Sequence, residues 1–302
     1  MSRKKKRAGS IAVPYLVTIF IGILIIGGGT FILLKHLGIL GNSKELVEPT
    51  PRQVDITSYA DNHSILMILD EPDLRCKSTF MLIRSIPKDK KIVYVGIPTN
   101  TIAVINGVQQ SIGSAYEKGG TSSAMEFAET VFGIEIDRYM VFNSKALIKA
   151  GDIIGGVEYP ISSDIAGFNG DGSEQYLNSE QIEKLITYAM YSDGEVERAY
   201  VVSSVASAMI NQVDGLRIAD NLDSSFTTII NMIDTDITAV DYKQHKVALK
   251  NMFSRGSGIA SFVILEGESA YDEYIPNAEF LDKFRRTYYN YDEGDKEEEN
   301  KK

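Results

Sequence analysis

An uncharged apolar run near the N-terminus restricts the fold of this chain more than any other feature. No charged side chain occurs from Ile11 to Leu34, and roughly 24 residues at about 1.5 Å each give about 36 Å of helix. The hydrocarbon core of a bilayer is about 30 Å thick. Pro14 and the glycines at 27–29 would weaken a soluble helix, but membrane helices tolerate such residues. Residues 11–34 are therefore predicted to cross a membrane as one helix.

The charges on either side of this run predict its orientation. Five basic residues lie at positions 3–7, whereas only Lys35 and His36 follow the run directly. Because an excess of Lys and Arg stays in the cytoplasm, residues 1–10 are predicted to be a cytoplasmic tail and the C-terminal part to lie outside the cell. A cleaved signal peptide is the alternative, but its apolar region would span only about 7–15 residues and end in a small-residue cleavage site. Residues 37–40 offer no such site, which favours an uncleaved anchor.

Composition narrows the classes of partner. The formal net charge is −10, and the basic tail and Lys35 contribute six positive charges, so the outer part carries roughly −16. A surface this acidic does not suit nucleic acid. The basic tail at residues 1–10 is too short to form a DNA-binding fold, so its expected partner is the membrane. Cys76 is the single cysteine, and no disulfide within the chain is expected. The three histidines are far apart in sequence, so no metal site is predicted.

The remaining segments predict one folded domain. After a polar stalk at 35–62, strand-like and helical segments alternate without a break in composition, which predicts a single α/β domain at 63–270 with a mixed central sheet flanked by helices. A C-terminal extension follows at 271–302, and its acidic end from Tyr291 is predicted to be disordered. The predicted strands are 64–69, 80–83, 92–97, 139–142, 157–161 and 260–265. The predicted helices lie near 123–131, 143–154, 178–191, 194–213, 224–234 and 238–253, with Ser123 and Glu126 as a capping box for the first.

Several short phrases occur in a fixed order within this domain. They are Ser78-Thr-Phe-Met-Leu82, Ile97-Pro-Thr-Asn-Thr101, Ile112-Gly-Ser-Ala-Tyr116, Gly133-Ile-Glu-Ile-Asp-Arg-Tyr139, Gly155-Gly-Val157, Leu177-Asn-Ser-Glu-Gln181 and Thr235-Asp-Ile237. Together with the anchor, this order of segments resembles the LytR-CpsA-Psr family of Gram-positive cell-envelope proteins. The resemblance runs from about Ser64 to Glu268.

The resemblance implies a fold and a function. Members of this family are phosphotransferases that move anionic glycopolymers, such as teichoic acid or capsule, from a polyprenyl-pyrophosphate carrier to peptidoglycan. A mixed sheet and its helices form an apolar slot for the polyprenyl chain, and arginine and acidic residues at its opening hold the pyrophosphate and a magnesium ion. The apolar residues expected to line this slot here are Phe127, Val131, Ile182, Leu185, Ile186, Val202 and Val205.

This chain departs from the family at the charged positions of that opening. The residues that stand there are Cys76, Ser78, Thr99, Asn100, Thr187, Ala189 and Glu195. Arg198 matches a family arginine, and Arg75 lies one residue before the position of another. The expected ligand-binding counterparts are therefore Arg75, Ser78, Thr99, Asn100 and Arg198, with no catalytic set intact. For Arg198, a surface arginine paired with Glu195 is an equal alternative.

Three hypotheses for function follow. The favoured one is a catalytically degenerate protein that binds a polyprenyl-linked glycopolymer, a lipid or an envelope partner, because phosphoryl transfer depends mainly on positioned charges. The second is an active transferase with an altered pocket, which would need magnesium, whereas the first needs no cofactor. The third is an envelope scaffold whose slot is filled by its own side chains. The sequence gives no oligomeric state.

Overall fold

The computed structural model describes residues 57–70, 77–254 and 258–289. The predicted cytoplasmic tail, the anchor at 11–34, most of the stalk, Arg75 and the acidic end of the chain lie outside these ranges. Within the described ranges, none of the helices is both long enough and apolar enough to cross a membrane. The predicted anchor therefore stays a prediction.

The centre of the fold is a six-stranded mixed sheet. The strands of the protein are β1 (His63–Leu69), β2 (Thr79–Ile86), β3 (Lys91–Ile97), β4 (Ile102–Ile105), β5 (Val108–Ser111), β6 (Arg138–Phe142), β7 (Val157–Pro160), β8 (Glu174–Leu177), β9 (Asp234–Thr235), β10 (Ala260–Ile264), β11 (Gly267–Ala270) and β12 (Glu273–Pro276). The order in the central sheet is β10-β3-β2-β1-β6-β9. Two neighbouring pairs, β1 with β6 and β3 with β10, are parallel, and the others are antiparallel. The predicted mixed sheet is confirmed.

Helices cover both faces of this sheet. They are α1 (Ile112–Phe132), α2 (Ser144–Ile154), α3 (Ser179–Ile186), α4 (Gly194–Gln212), α5 (Gly215–Ile230), α6 (Ala239–Phe253) and α7 (Ala278–Tyr288). Side-chain caps explain where several of them begin. The Asn143 side chain accepts a hydrogen bond from the backbone N–H of Ala146 at 2.9 Å, which starts α2 where the sequence predicted it. Thr238 and Asp241 form a capping box, and α6 begins next to the predicted start at 238.

The first helix begins earlier than predicted. Ser111 caps α1, because its hydroxyl oxygen accepts a hydrogen bond from the N–H of Ser114 at 3.1 Å. The predicted capping pair, Ser123 and Glu126, lies inside the helix, so that prediction was wrong. Gly120 interrupts the helix with a φ of +64°, a left-handed conformation that glycine adopts without a steric cost.

Two later helices also differ from their predicted bounds. α3 ends at Ile186 instead of Tyr191, because the chain folds back and the Tyr191 hydroxyl donates a hydrogen bond to the carbonyl of Leu185 at 2.8 Å. α5 begins at Gly215, well before the predicted start at 224, because the Asp214 carboxylate caps it by accepting from the N–H of Leu216 at 3.0 Å. The residues of α5 that the prediction left out include Ile218 and Leu222, which line an apolar cavity.

Side chains of the central strands alternate between two apolar layers. On β1, Leu66 and Ile68 point into one layer, and Met67 points into the other. Helices α1 and α7 cover the first layer, and α2 to α6 cover the second. Phe280 and Phe284 of α7 are buried in the first layer. Part of the predicted C-terminal extension, up to residue 289, therefore packs on the domain core.

Candidate functional site

Arg198 lies at the beginning of the second turn of α4 and is almost completely buried. Its side chain is 3% exposed, and its Nε donates to Oε2 of Glu195 at 3.0 Å, while Nη2 contacts the same oxygen. Nη1 donates to the carbonyl of Lys77 at 2.8 Å, and Nη2 donates to the Thr99 hydroxyl at 3.0 Å. The pairing with Glu195 matches one of the two predicted alternatives, but Arg198 is buried and Glu195 is half-buried, so the arginine does not lie on a free surface. The guanidinium thus has its main partners inside the protein.

Ser78 and Thr99 lie beside this arginine. The Thr99 hydroxyl donates to the carbonyl of Ser78 at 2.8 Å. The Ser78 hydroxyl donates to one oxygen of Asp70 at 2.9 Å, and the Tyr116 hydroxyl donates to the other oxygen at 2.9 Å. Burial, followed by the contact with Asp70, raises the pKa of the Tyr116 phenol. Both oxygens of the Asp70 carboxylate therefore accept hydrogen bonds from neutral hydroxyls.

Asn100 bonds to the β11–β12 hairpin. Its side-chain amide donates to the carbonyl of Asp272 at 3.0 Å, and its own carbonyl accepts from the N–H of Tyr274 at 3.0 Å. The Asn100 Oδ1 atom is buried and has no hydrogen-bond partner among the described residues. The structure thus brings Ser78, Thr99 and Arg198 together, places Asn100 next to them, and leaves Arg75 outside the described residues.

The described residues at this place do not form a magnesium site among themselves. Oxygen ligands, mainly carboxylates, are what Mg²⁺ prefers, with near-ideal octahedral geometry. Asp70 accepts two hydroxyl hydrogen bonds, and Glu195 is paired with Arg198. In the part of the chain that the structure describes, no group of three His, Cys, Asp or Glu side chains is arranged to hold a metal.

The seven residues predicted to line a lipid slot do not lie together. Phe127 and Val131 of α1 belong to the first apolar layer, whereas the five residues of α3 and α4 belong to the second. The central sheet separates the two groups, and all seven are buried at 9% exposure or less. The prediction that all seven line a single slot was therefore wrong. Helical spacing identifies an apolar face of a helix, but it does not identify the layer that this face covers.

An apolar cavity of about 720 Å³ lies elsewhere in the second layer, between the sheet and helices α5 and α6. Its larger apolar lining residues are Ile65, Met140, Ile153, Ile154, Ile210, Ile218, Leu222, Phe226, Ile229, Ile230, Ile233, Ile237, Leu249 and Phe253. In α5 only Gly215 and Ala219 are buried, so the larger apolar side chains of this helix remain partly exposed. The signal in the sequence was the spacing of Ile218, Leu222 and Phe226, four residues apart, on one helical face.

The cavity and the Arg198 site are at different ends of the sheet. His63, the first residue of β1, lines the cavity, whereas Asp70 follows the last residue of β1 and belongs to the Arg198 site. At about 3.3 Å per residue, these two positions are about 23 Å apart along the strand. Neither Ser78, Thr99, Asn100 nor Arg198 lines the cavity.

A pair of histidines lies in the cavity wall. The rings of His63 and His245 meet edge to face with centroids 4.2 Å apart. Nδ1 of His245 is 2.9 Å from the Asp61 carboxylate, but Nδ1 of His63 is 3.9 Å from Asp137 and has no hydrogen-bond partner among the described residues. Burial, and then the neighbouring His245, lower the pKa of His63 below its usual value of about 6.5.

This lowered pKa predicts a loss of stability in acid. His63 is protonated more readily in the unfolded chain than in the folded one, so its contribution is complete above about pH 6.5 and is lost as the pH falls towards the folded-state pKa. We expect His63→Gln to reduce the fall in melting temperature between pH 7.5 and pH 5. Thermal melts at several pH values test this, with His36→Gln as the control. Equal pH dependence in the wild type and in His63→Gln would contradict it.

Comparison with known proteins places this fold in a family. A mixed sheet between two helical layers, with a ligand-sized cavity in one of them, is an α/β domain suited to an apolar ligand. The LytR_cpsA_psr family model matches residues 42–286, and the chain belongs to the LytR-CpsA-Psr family.

The named relatives are distant, and this chain spans little more than half the length of several of them. A polyisoprenyl-teichoic acid–peptidoglycan teichoic acid transferase TagU of Enterococcus faecalis is 24% identical over 177 residues, which cover 56% of this chain and 57% of that protein. The protein of the same name from Bacillus licheniformis is 24% identical over 257 residues, covering 79% of this chain and 82% of the relative. The crystal structure of Bacillus subtilis TagV superposes with a TM-score of 0.60 at 20% identity, covering 76% of this chain and 96% of that one. The last likeness shows the fold.

Proposed function

We propose that this protein is a membrane-anchored cell-envelope protein that binds a lipid or a polyprenyl-linked glycopolymer and has lost transferase chemistry. The observation that carries the proposal is the separation of an apolar cavity of about 720 Å³ from a charged site whose arginine is already paired. No cofactor is part of the proposal.

The cavity supports lipid binding. Its volume falls in the range of about 300–1,000 Å³ that is typical of ligand pockets. Several large apolar side chains of α5 are only partly buried, so an apolar ligand would remove their remaining surface from water at about 25 cal/mol per Å². The relatives that carry the name of a teichoic acid transferase act, by that name, on a polyisoprenyl-linked substrate. A chain-like apolar ligand is therefore the natural occupant.

The Arg198 site supports the loss of chemistry. Transferring a phosphoryl group requires cations positioned on the developing charge, and one such group is worth factors of about 10³–10⁵ in rate. Here the guanidinium of Arg198 is neutralised by Glu195 and hydrogen-bonded to protein oxygens. Thr99 and Asn100 stand where the family resemblance implies charged residues, and their side chains also bond within the protein.

The location is proposed from the sequence. Residues 11–34 anchor the protein in the cell membrane, residues 1–10 lie in the cytoplasm, and the domain faces outward with the membrane and envelope polymers as its partners. Protease added to intact protoplasts is expected to remove the domain. Complete protection of the domain, under conditions that degrade a known surface protein, would contradict this orientation.

The alternative is an active phosphotransferase, which the names of the relatives favour. The full-length chain incubated with polyprenyl pyrophosphate and magnesium distinguishes the two. We expect no release of phosphate above that of an Arg198→Met variant, because Arg198 is not free to bind the substrate. Turnover by the wild type that needs magnesium would overturn the proposal of lost chemistry.

Lipid binding is tested in the same preparation. Lipids that copurify with the full-length chain are expected to be fewer in Leu222→Trp, since Leu222 lines the cavity and the indole would fill it. Leu216→Trp is the matched control on the same helix, because Leu216 is 55% exposed and does not line the cavity. Mass spectrometry of the extracted lipids gives the comparison. Equal amounts of lipid in the wild type and in Leu222→Trp would place any bound lipid outside this cavity.

A further inference from the structure

Most polar groups in the cavity wall already have partners within the protein. Arg138 forms two hydrogen bonds with the Asp241 carboxylate, at 2.7 and 3.3 Å. The Asp137 carboxylate accepts from the backbone N–H of Ser64 at 2.7 Å. The Tyr242 hydroxyl donates to Asp223 at 2.7 Å. These groups have few free hydrogen-bond donors or acceptors for a ligand, and the ion pair of Arg138 with Asp241 carries no net charge.

Arg217, in the first turn of α5, is different. It lines the cavity, and its Nη2 donates to the carbonyl of Ile154 at 2.6 Å, at the end of α2. An arginine has five N–H donors, and no other hydrogen bond or ion pair of this guanidinium with a described residue occurs. Arg217 is therefore a cation without a carboxylate partner in the described part of the cavity wall.

We propose that the cavity takes a single-chain lipid with a monoanionic head group, such as a fatty acid, and that Arg217 binds the head group. This inference rests on the proposed lipid-binding function and names the class of lipid. The apolar residues of α5 and α6 contact the chain, and the guanidinium fork of Arg217 binds the carboxylate. Asp214 and Asp220 lie within one helical turn of Arg217, so a single cation among acidic residues suits one negative charge better than a pyrophosphate.

The charge of the head group can be tested with matched probes. The full-length chain in a non-ionic detergent is labelled with palmitate that bears a diazirine near the chain end, and separately with the matching alcohol. Peptide mass spectrometry measures labelling of α5 and α6. We expect the wild type to prefer the acid over the alcohol, and Arg217→Gln to lower this preference about tenfold, because a charge-assisted hydrogen bond is lost. Unlabelled farnesyl pyrophosphate is expected to compete less well than palmitate.

Control variants separate the charge of Arg217 from its contact with α2. Arg217→Lys keeps the charge and is expected to keep most of the preference for the acid. Arg286→Gln, on the exposed face of α7 and away from the cavity, is expected to leave it unchanged. If the alcohol labels the cavity but the acid has no advantage, or Arg217→Gln lowers labelling by both equally, the inference fails and the lipid-binding function stands. If neither probe labels α5 and α6, both fail.

Discussion

Replacing Gly96 by alanine is expected to lower the free energy of unfolding by more than about 3 kcal/mol. Gly96 lies near the end of β3, where α4 packs directly on the sheet. A Cβ atom at this position would lie 1.9 Å from the carbonyl oxygen of Ala199 and 2.5 Å from its carbonyl carbon. Both are backbone atoms of α4, so no side-chain rotation can relieve the clash. The helix would have to move away from the sheet, and Arg198, the preceding residue, would move with it.

Urea unfolding, monitored by far-UV circular dichroism, measures this effect. Gly107→Asn is the control, because Gly107 has a φ of +80° in a hairpin turn, nothing lies near the added side chain, and Asn tolerates the left-handed conformation. We expect that variant to stay within about 1 kcal/mol of the wild type. A Gly96→Ala protein as stable as the wild type would show that α4 does not pack against β3 as closely as described.

Replacing Arg198 by methionine is expected to cost about 3 kcal/mol or more. Methionine fills a similar volume, but it leaves Glu195 as a largely buried carboxylate without a cation. The carbonyl of Lys77 and the hydroxyl of Thr99 also lose a donor. If the arginine were instead an open ligand-binding group, its removal would relieve electrostatic strain and cost little stability.

Two further variants make this result interpretable. Arg286 is 72% exposed and forms an ion pair with Asp282. Arg286→Met breaks this pair, and we expect the free energy of unfolding to fall by less than about 1 kcal/mol. The double variant Glu195→Gln, Arg198→Met removes the unpaired carboxylate and is expected to be more stable than Arg198→Met alone. A cost for Arg198→Met that is no larger than that for Arg286→Met would contradict the buried pair.

Gly96 and Arg198 both lie where α4 packs against the sheet, and their contacts explain how the charged site is built. The close approach at Gly96 fixes α4 against β3, which puts Arg198 next to the segments that carry Ser78 and Thr99. Arg198 then bonds to both segments and stabilises the contact. Arg198 therefore holds these segments of the domain together.

Local signals in the sequence predicted much of the secondary structure. The cap at Asn143 and the glycines after Ile154 gave both ends of α2, because capping and glycine act within a few residues of a helix end. The start of α5 was missed, since Asp214 is one of many acidic residues and its role as a cap depends on the turn that precedes it. The order of short phrases along the chain also predicted the family to which the chain belongs.

The sequence by itself determined which residues are apolar and where most central strands and longer helices lie, but it missed the short strands β4, β5, β8, β9, β11 and β12 and the helix α7. Only the tertiary structure decided which apolar residues share a layer. Phe127 and Leu185 look alike in sequence, yet the central sheet lies between them. Likewise, the sequence offered the pairing of Glu195 with Arg198 as one of two alternatives, since they are three residues apart on a helix, but it could not predict that Arg198 is buried. Burial depends on contacts between segments that are distant along the chain, and no local pattern records those contacts.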